Sequence, residues 1–164
     1  MTLVRKLGQP SAGESASTPS DPRMLRINSD GKTDASIDAG LLTTLNDLAQ
    51  AIRDKNVDRL MTFYAPDVVV FDLRPPLDMR GAFAYRKNLE RWFASFEGSI
   101  GFELTDVRVA PLEGAAFCHY LRHITGKRRG GRKVDYRVRG TTCFEQRDGQ
   151  WLVTHEHLSM PTLM

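Results

Sequence analysis

The feature that most constrains this chain is a succession of four long strand-forming runs, residues 100–110, 115–125, 133–145 and 151–160, with only short turn signals between them. Pro111–Gly114, Gly126–Gly131 and Asp148-Gly149 mark those turns. An Asp-Gly pair between two such runs is a hairpin signal. Strands joined this closely are expected to run antiparallel, because a parallel pair needs a long crossover. A sheet of this size must cover one face, and the only cover on offer lies upstream. Leu41, Leu42, Leu45, Leu48, Ala49 and Ile52 recur at helical spacing. Asp54-Lys55-Asn56 breaks that stripe, and Asn56 is a good N-cap for a short second helix carrying Val57, Leu60, Met61 and Tyr64 on one face and stopping before Pro66. Val68–Asp72 is a short β-branched strand, Arg74-Pro75-Pro76 is irregular, and a third helix follows Gly81 with Ala82, Tyr85, Leu89, Trp92, Phe93 and Phe96 on one side.

Three helices followed by such a sheet predict an α+β fold: a cone-shaped barrel of curved antiparallel sheet, four long strands plus one or two short ones, wrapped over the three N-terminal helices. The mouth of the cone is where a ligand is expected. Residues 1–36 read as a disordered tail, rich in Ser, Gly and Pro and without an aromatic side chain, and 37–164 as the folded domain. Arg5 and Lys6 near the start precede no apolar h-region, so no secretory signal is read there.

Composition removes several classes. The longest unbroken aliphatic and aromatic run is Val68–Phe71, far short of the roughly 20 residues of a membrane helix. Cys118 and Cys143 are too few for a disulfide scaffold and form no Cys-x-x-Cys zinc motif; they fit free thiols in a reducing, cytoplasmic setting. The net charge is +3, unevenly spread: Arg122, Lys127, Arg128, Arg129, Arg132, Lys133, Arg137 and Arg139 stand against Asp135 alone in one stretch. That tract reads either as a polyanion-binding surface, with salt-sensitive binding, or as a solvated hairpin tip built on Gly126, Gly130 and Gly131. The hairpin tip is the preferred reading, and nucleic acid and membrane are not expected partners.

The order of elements, with Tyr-Ala-Pro-Asp-Val-Val-Val-Phe-Asp at residues 64–72, Arg80-Gly81 before the third helix, and Asp148-Gly149-Gln150-Trp151-Leu152-Val153-Thr154-His155-Glu156-His157 closing the sheet, resembles the nuclear transport factor 2-like superfamily. Within it the chain is similar to SnoaL-like and ketosteroid isomerase-like proteins. Its closing hairpin also resembles the association domain of calcium/calmodulin-dependent kinases. The resemblance covers about residues 38–160, and its fold carries isomerases, cyclases, dehydratases and adaptors alike.

Asp72 ends an apolar strand, where a carboxylate is wasteful unless it faces a cavity or loop donors. The resemblance places it at the general base of ketosteroid isomerases; the alternative is a cap for the loop that follows. Those enzymes hold the enolate with a first-helix tyrosine and a protonated carboxyl on a late strand. Here the first-helix position is Leu48, and strand 136–144 has no aspartate in its second half, so steroid isomerisation is not expected.

Even positions of 133–145 (Val134, Tyr136, Val138, Thr142, Phe144) are mostly apolar and should face the core. Carried to the last strand, this parity turns Leu152, Thr154, Glu156 and Leu158 inward and sends His155 and His157 to the outer face, a dimer contact by analogy. Glu156 becomes a second inward carboxylate, paired with Asp72 or an arginine. His119 and His123 share a face, but no carboxylate spacing reinforces a metal set with His155 and His157, and neither metal nor cofactor is expected.

Asp72, Glu156 and His119 are therefore the catalytic candidates, and Tyr64, Phe83, Trp92, Tyr120, Thr142 and Thr154 the ligand-binding ones. The aromatic residues among them read equally as plain core. The function expected is binding of a small apolar, carbonyl-bearing molecule in the cone, with cofactor-free acid–base chemistry of isomerase, cyclase or lyase type. The alternative is a non-catalytic ligand-binding or oligomerisation module, a homodimer through the sheet face.

Overall fold

The computed structural model describes residues 39–162. The tail expected over residues 1–36 lies outside the described residues. Three helices lead, α1 Ala39–Arg53, α2 Val57–Met61 and α3 Ala82–Ala94, with strands β1 Tyr64–Phe71 and β2 Met79–Arg80 between α2 and α3. Four long strands complete the chain: β3 Phe96–Leu112, β4 Ala115–Arg128, β5 Lys133–Arg147 and β6 Gln150–Ser159. They form one open sheet of order β2-β1-β6-β5-β4-β3. The fold is the expected α+β cone, a curved sheet over the helices.

Local chemistry explains most boundaries. Asn56 caps α2, its side chain accepting the Arg59 N–H at 3.0 Å. Asp148 and Gly149 both have positive φ, 51° and 77°, as a two-residue hairpin twisted to match its strands requires. Along α1, Leu41, Leu45, Leu48, Ala49, Ala51 and Ile52 are buried and pack toward β3 and β6. Tyr85, Leu89 and Phe93 of α3 complete the apolar layer.

Three placements differ from the sequence reading. Tyr64 does not continue α2: it opens β1, pairing with Val153, and Val153 N–H donates to the Phe63 carbonyl at 2.8 Å. Pairing with β6 outweighs a helical continuation whose next residue but one is Pro66. The proline sits exposed in an irregularity of the β1–β6 register between Tyr64 and Val69, where its missing N–H breaks no ladder bond. That β1–β6 pair is parallel, the one parallel pair in an otherwise antiparallel sheet. Phe96, expected on α3, begins β3.

The third difference is a one-residue bulge in β6. Cys143 pairs with His155 and Phe144 with Val153, which leaves Thr154 without an opposite residue. A bulge reverses the facing of everything on one side of it. Inward positions are therefore Val153, Glu156 and Leu158, all buried, whereas Leu152 and Thr154 are only half-buried.

Candidate functional site

Every strand from β4 to β6, together with β1 and α3, sends a polar side chain to one point inside the cone. Glu156 of β6 is 1% exposed and Arg122 of β4 is 5% exposed. A carboxylate and a guanidinium that deep persist only as a hydrogen-bonded pair. Arg122 Nη2 donates to Glu156 Oε1 at 2.5 Å and to the Tyr120 hydroxyl at 2.8 Å. Tyr120 donates to the same carboxylate oxygen at 3.2 Å, and the Thr142 hydroxyl lies 2.7 Å from Tyr120. The second oxygen, Oε2, accepts from Tyr85 at 2.7 Å and Tyr64 at 3.2 Å. Each carboxylate oxygen thus receives two hydrogens, which fills its lone pairs.

Burial alone would push the Glu156 carboxyl up. Arg122 and the hydrogen bonds from Tyr85, Arg122 and Tyr64 outweigh it and hold the group below its ordinary value. Burial, together with the carboxylate, pushes the hydroxyls of Tyr64 and Tyr85 well up, so both stay protonated donors. Burial also works against the Arg122 cation, but the Tyr120 hydroxyl that accepts from it and the Glu156 carboxylate keep it charged. Its Nε–H is buried and has no hydrogen-bond partner among the described residues. Nearby, burial pushes the Cys118 thiol up to about 12, which leaves it inert at neutral pH.

Two adjoining spaces share lining residues, and the inner one reaches Arg122 and Tyr85 of this network. The inner cleft, about 50 Å³, is lined by Arg122 and Tyr85, by the apolar side chains of Ile52, Leu89, Ile124, Val138 and Leu158, and by Asp72, Leu73, Asn88, Trp92 and Tyr136. That last group of five also lines an outer vestibule of about 720 Å³ and so marks the junction of the two. At roughly 10–15 Å³ per water-sized probe, the cleft takes only a small group, whereas the vestibule has the size of a whole small-molecule site. At the junction Asp72 is half-buried just past the end of β1, accepting the Leu73 N–H at 2.7 Å and the Asn88 amide at 2.6 Å.

The structure brings together Tyr64, Tyr120, Thr142 and Glu156 in the network and Asp72 and Trp92 at the junction. It does not bring in His119, which is exposed on the outer sheet face, or Phe83, which is 72% exposed beneath the Lys87 ammonium. Thr154 sits on the bulge, its hydroxyl 3.5 Å from the Cys143 carbonyl. His155 and His157 pack edge-on against Phe71, and His155 Nδ1 lies 2.9 Å from the Val69 carbonyl. Among the described residues no group of three or more His, Cys, Asp and Glu is placed to hold a metal ion. Nor is any helix among them long and apolar enough to cross a membrane.

Arg122, Tyr85 and Asn88 are site residues that sequence reasoning did not single out. A signal for Arg122 was present: on β4 it shares the even positions with Ala116, Cys118, Tyr120 and Ile124, and a charge on an apolar strand face needs a buried partner.

Residues 41–163 match the SnoaL-like domain family. No curated protein matches the chain. Among solved structures it is similar to an NTF2-like protein of unknown function from Pseudomonas putida KT2440, at 28% identity and a TM-score of 0.68 over 76% of this chain and 86% of that one. A candidate dehydratase of the NTF2-like family from Streptomyces avermitilis aligns at 19% identity and TM-score 0.67, over 76% and 95% of the two chains. A candidate calcium/calmodulin-dependent protein kinase II association domain from Xanthomonas campestris aligns at 21% identity and TM-score 0.68, over 85% and 100%. The last two speak to the fold alone.

Proposed function

The chain belongs to the SnoaL-like domain family, and on that premise we propose that its cone binds a small apolar, carbonyl-bearing molecule and moves a proton on it with side chains alone. The observation that supports this reading is that Asp72 and Arg122, whose buried Nε–H has no partner among the described residues, line the same cleft. A carbonyl oxygen seated toward Arg122 would meet a hydrogen-bond donor already desolvated and already charged, fixed in place by Glu156 and Tyr120. Asp72, at the junction, is positioned as the base for a proton α to that carbonyl, with the Asn88 amide orienting its carboxylate. The proton on Asp72 can then return to another carbon, as in isomerisation, or accompany loss of a β-hydroxyl, as in dehydration. Glu156 serves as counter-charge to Arg122, because its oxygens have no lone pair free for substrate. Tyr64, Tyr120 and Thr142 hold the pair, and Trp92 and Tyr136 line the ligand's entry. Two unbridged thiols fit a reducing cytoplasmic setting.

The test needs no known substrate. 2-Tetralone, a flat apolar ketone, is incubated with the protein in D₂O, and α-proton exchange is followed by NMR. Exchange above the buffer rate is expected, falling by about 10²-fold or more in Asp72→Asn. Exchange at the buffer rate, or an unaltered rate in the variant, refutes the acid–base reading.

A second reading has its own observation. Phe71 and Phe117 are 39% and 42% exposed, and Phe71 lies beside His155 and His157 on the outer side of the sheet. Apolar rings on that face support a homodimer through it. Sedimentation velocity should then find a dimer that Phe117→Asp dissociates; a monomeric wild-type protein rules it out.

A further inference from the structure

The basic tract of the sequence has a destination in the fold. Its glycine-rich turn, between β4 and β5, is exposed but tied to the end of α3. Arg129 N–H donates to the Ser95 carbonyl at 2.9 Å, Arg129 Nε to the Ala94 carbonyl at 2.5 Å, and Arg128 Nη1 to the Ser95 hydroxyl. The Arg128 guanidinium lies 4.0 Å over the Phe96 ring. This docking brings Arg128 and Arg132 to the wall of the outer vestibule, where Arg74 and Arg91 also stand.

Four guanidiniums therefore line one basin against a single carboxylate, Asp72, whose oxygens are already engaged by Asn88 and the Leu73 N–H. Among the described residues none of the four is ion-paired. Other arginines of the chain do find carboxylates: Arg59 with Asp47, Arg80 with Asp78, Arg86 with Asp58 and Glu90, Arg147 with Asp67 and Glu145. Lys127, on the same turn, is taken by Glu97. Four guanidiniums without a carboxylate partner thus share the mouth of the cone, although Arg53, Arg108, Arg129, Arg137 and Arg139 are likewise without one among the described residues. Arg128 registers the shared charge: its burial first, and then Arg74 and Arg132 against it, hold it below the usual guanidinium value despite Tyr136.

We propose that the molecule taken by the cone is an anion, a carbonyl compound whose carboxylate or phosphate group is held in the vestibule by Arg74, Arg91, Arg128 and Arg132 while its apolar carbonyl part enters the inner cleft. This rests on the reading of the cone as a small-molecule site and narrows its substrate class. Carboxylate and phosphate share the planar or tripod oxygen geometry that guanidiniums grip bidentately. The dimensions agree: the vestibule has room for the body and head of the ligand, and the five side chains at the junction are common to both spaces. A mouth of one charge sign also draws such a ligand in from solution.

The experiment compares three probes of one shape on the full chain by isothermal titration calorimetry: 2-naphthoate, 2-naphthyl phosphate and the neutral 2-acetonaphthone. At low salt at least one anion should bind about tenfold or more tighter than the ketone. That advantage should shrink to about twofold in Arg91→Gln/Arg132→Gln and in high salt, with ketone affinity unchanged as the sign of an intact cone. The tighter of the two anions identifies the head group. Equal affinity for all three probes in the wild-type protein overturns the proposal and leaves the cone reading standing. No binding of any probe removes the cone reading, and the proposal with it. A labelled single-stranded 12-mer that outcompetes both anions, and loses its affinity in the same variant, overturns the proposal in favour of a nucleic-acid surface.

Discussion

Replacing Glu156 by Gln tests the network at the heart of the cone, because the change keeps shape and removes charge. In the folded protein Arg122 would remain 5% exposed with no counter-ion, its Nε–H already unpartnered. The new amide would also present an amino group where Tyr85 and Tyr64 now donate, at 2.7 and 3.2 Å, forcing both hydroxyls to reverse roles. Neither partner is exposed enough for solvent to screen the loss. Breaking a buried pair of this kind costs about 3–5 kcal/mol. Against a total of roughly 5–15 kcal/mol for a domain, that removes about a fifth of the stability at the least and most of it at the low end of that range. It corresponds to a fall in Tm of roughly 10–20 °C for a domain of this size.

Urea and thermal denaturation followed by circular dichroism read the effect, and pH supplies its signature. Glu156 titrates below its ordinary value in the folded protein. Its contribution is therefore full above the unfolded carboxylate pKa of about 4.3 and is lost as pH falls through the lower folded value. The gap between wild-type protein and Glu156→Gln should narrow below about pH 4. The double variant Arg122→Met/Glu156→Gln, which leaves no orphan charge, should be at least about 1 kcal/mol more stable than Glu156→Gln alone. A gap under about 1 kcal/mol at neutral pH, or one that does not vary with pH, would refute the reasoning.

Gly140→Ala should be destabilising by about 1–3 kcal/mol, since its Cβ would fall 2.3 Å from Cε2 of the Tyr120 ring lying across that backbone; urea midpoints check it, and a silent substitution means the ring is free to move. Tyr85→Phe removes the shorter hydrogen bond to Glu156 Oε2, so the acid-unfolding midpoint should rise toward the ordinary carboxylate range, and an unmoved midpoint would count against the assigned donor. Asn56→Ala should cost about 0.5–2 kcal/mol by leaving the Arg59 N–H without its cap; amide hydrogen exchange of α2 would report the loss, and unchanged protection would show that the cap is redundant.

Sequence alone settled what depends on neighbours along the chain. Alternation named the four long strands, Asp148-Gly149 their last turn, and the spacing of Leu41, Leu45, Leu48 and Ile52 the face of α1. Those are period and φ constraints, written in adjacent residues. Glu156 was legible as inward, yet Thr154 was not legible as bulged, because a bulge is fixed by the partner strand rather than by its own residues. Tyr64 left its helix for the same reason: the hydrogen bonds of β6, far along the chain, outbid the local pattern. The basic tract was read from composition as a solvated hairpin tip, and its turn is exposed; only packing against Ser95 and Phe96 sets Arg128 and Arg132 at the mouth of the cone. Which donors surround Glu156, and which arginine goes unpaired, depend on contacts between residues 34 to 92 positions apart, a distance over which no sequence period carries information.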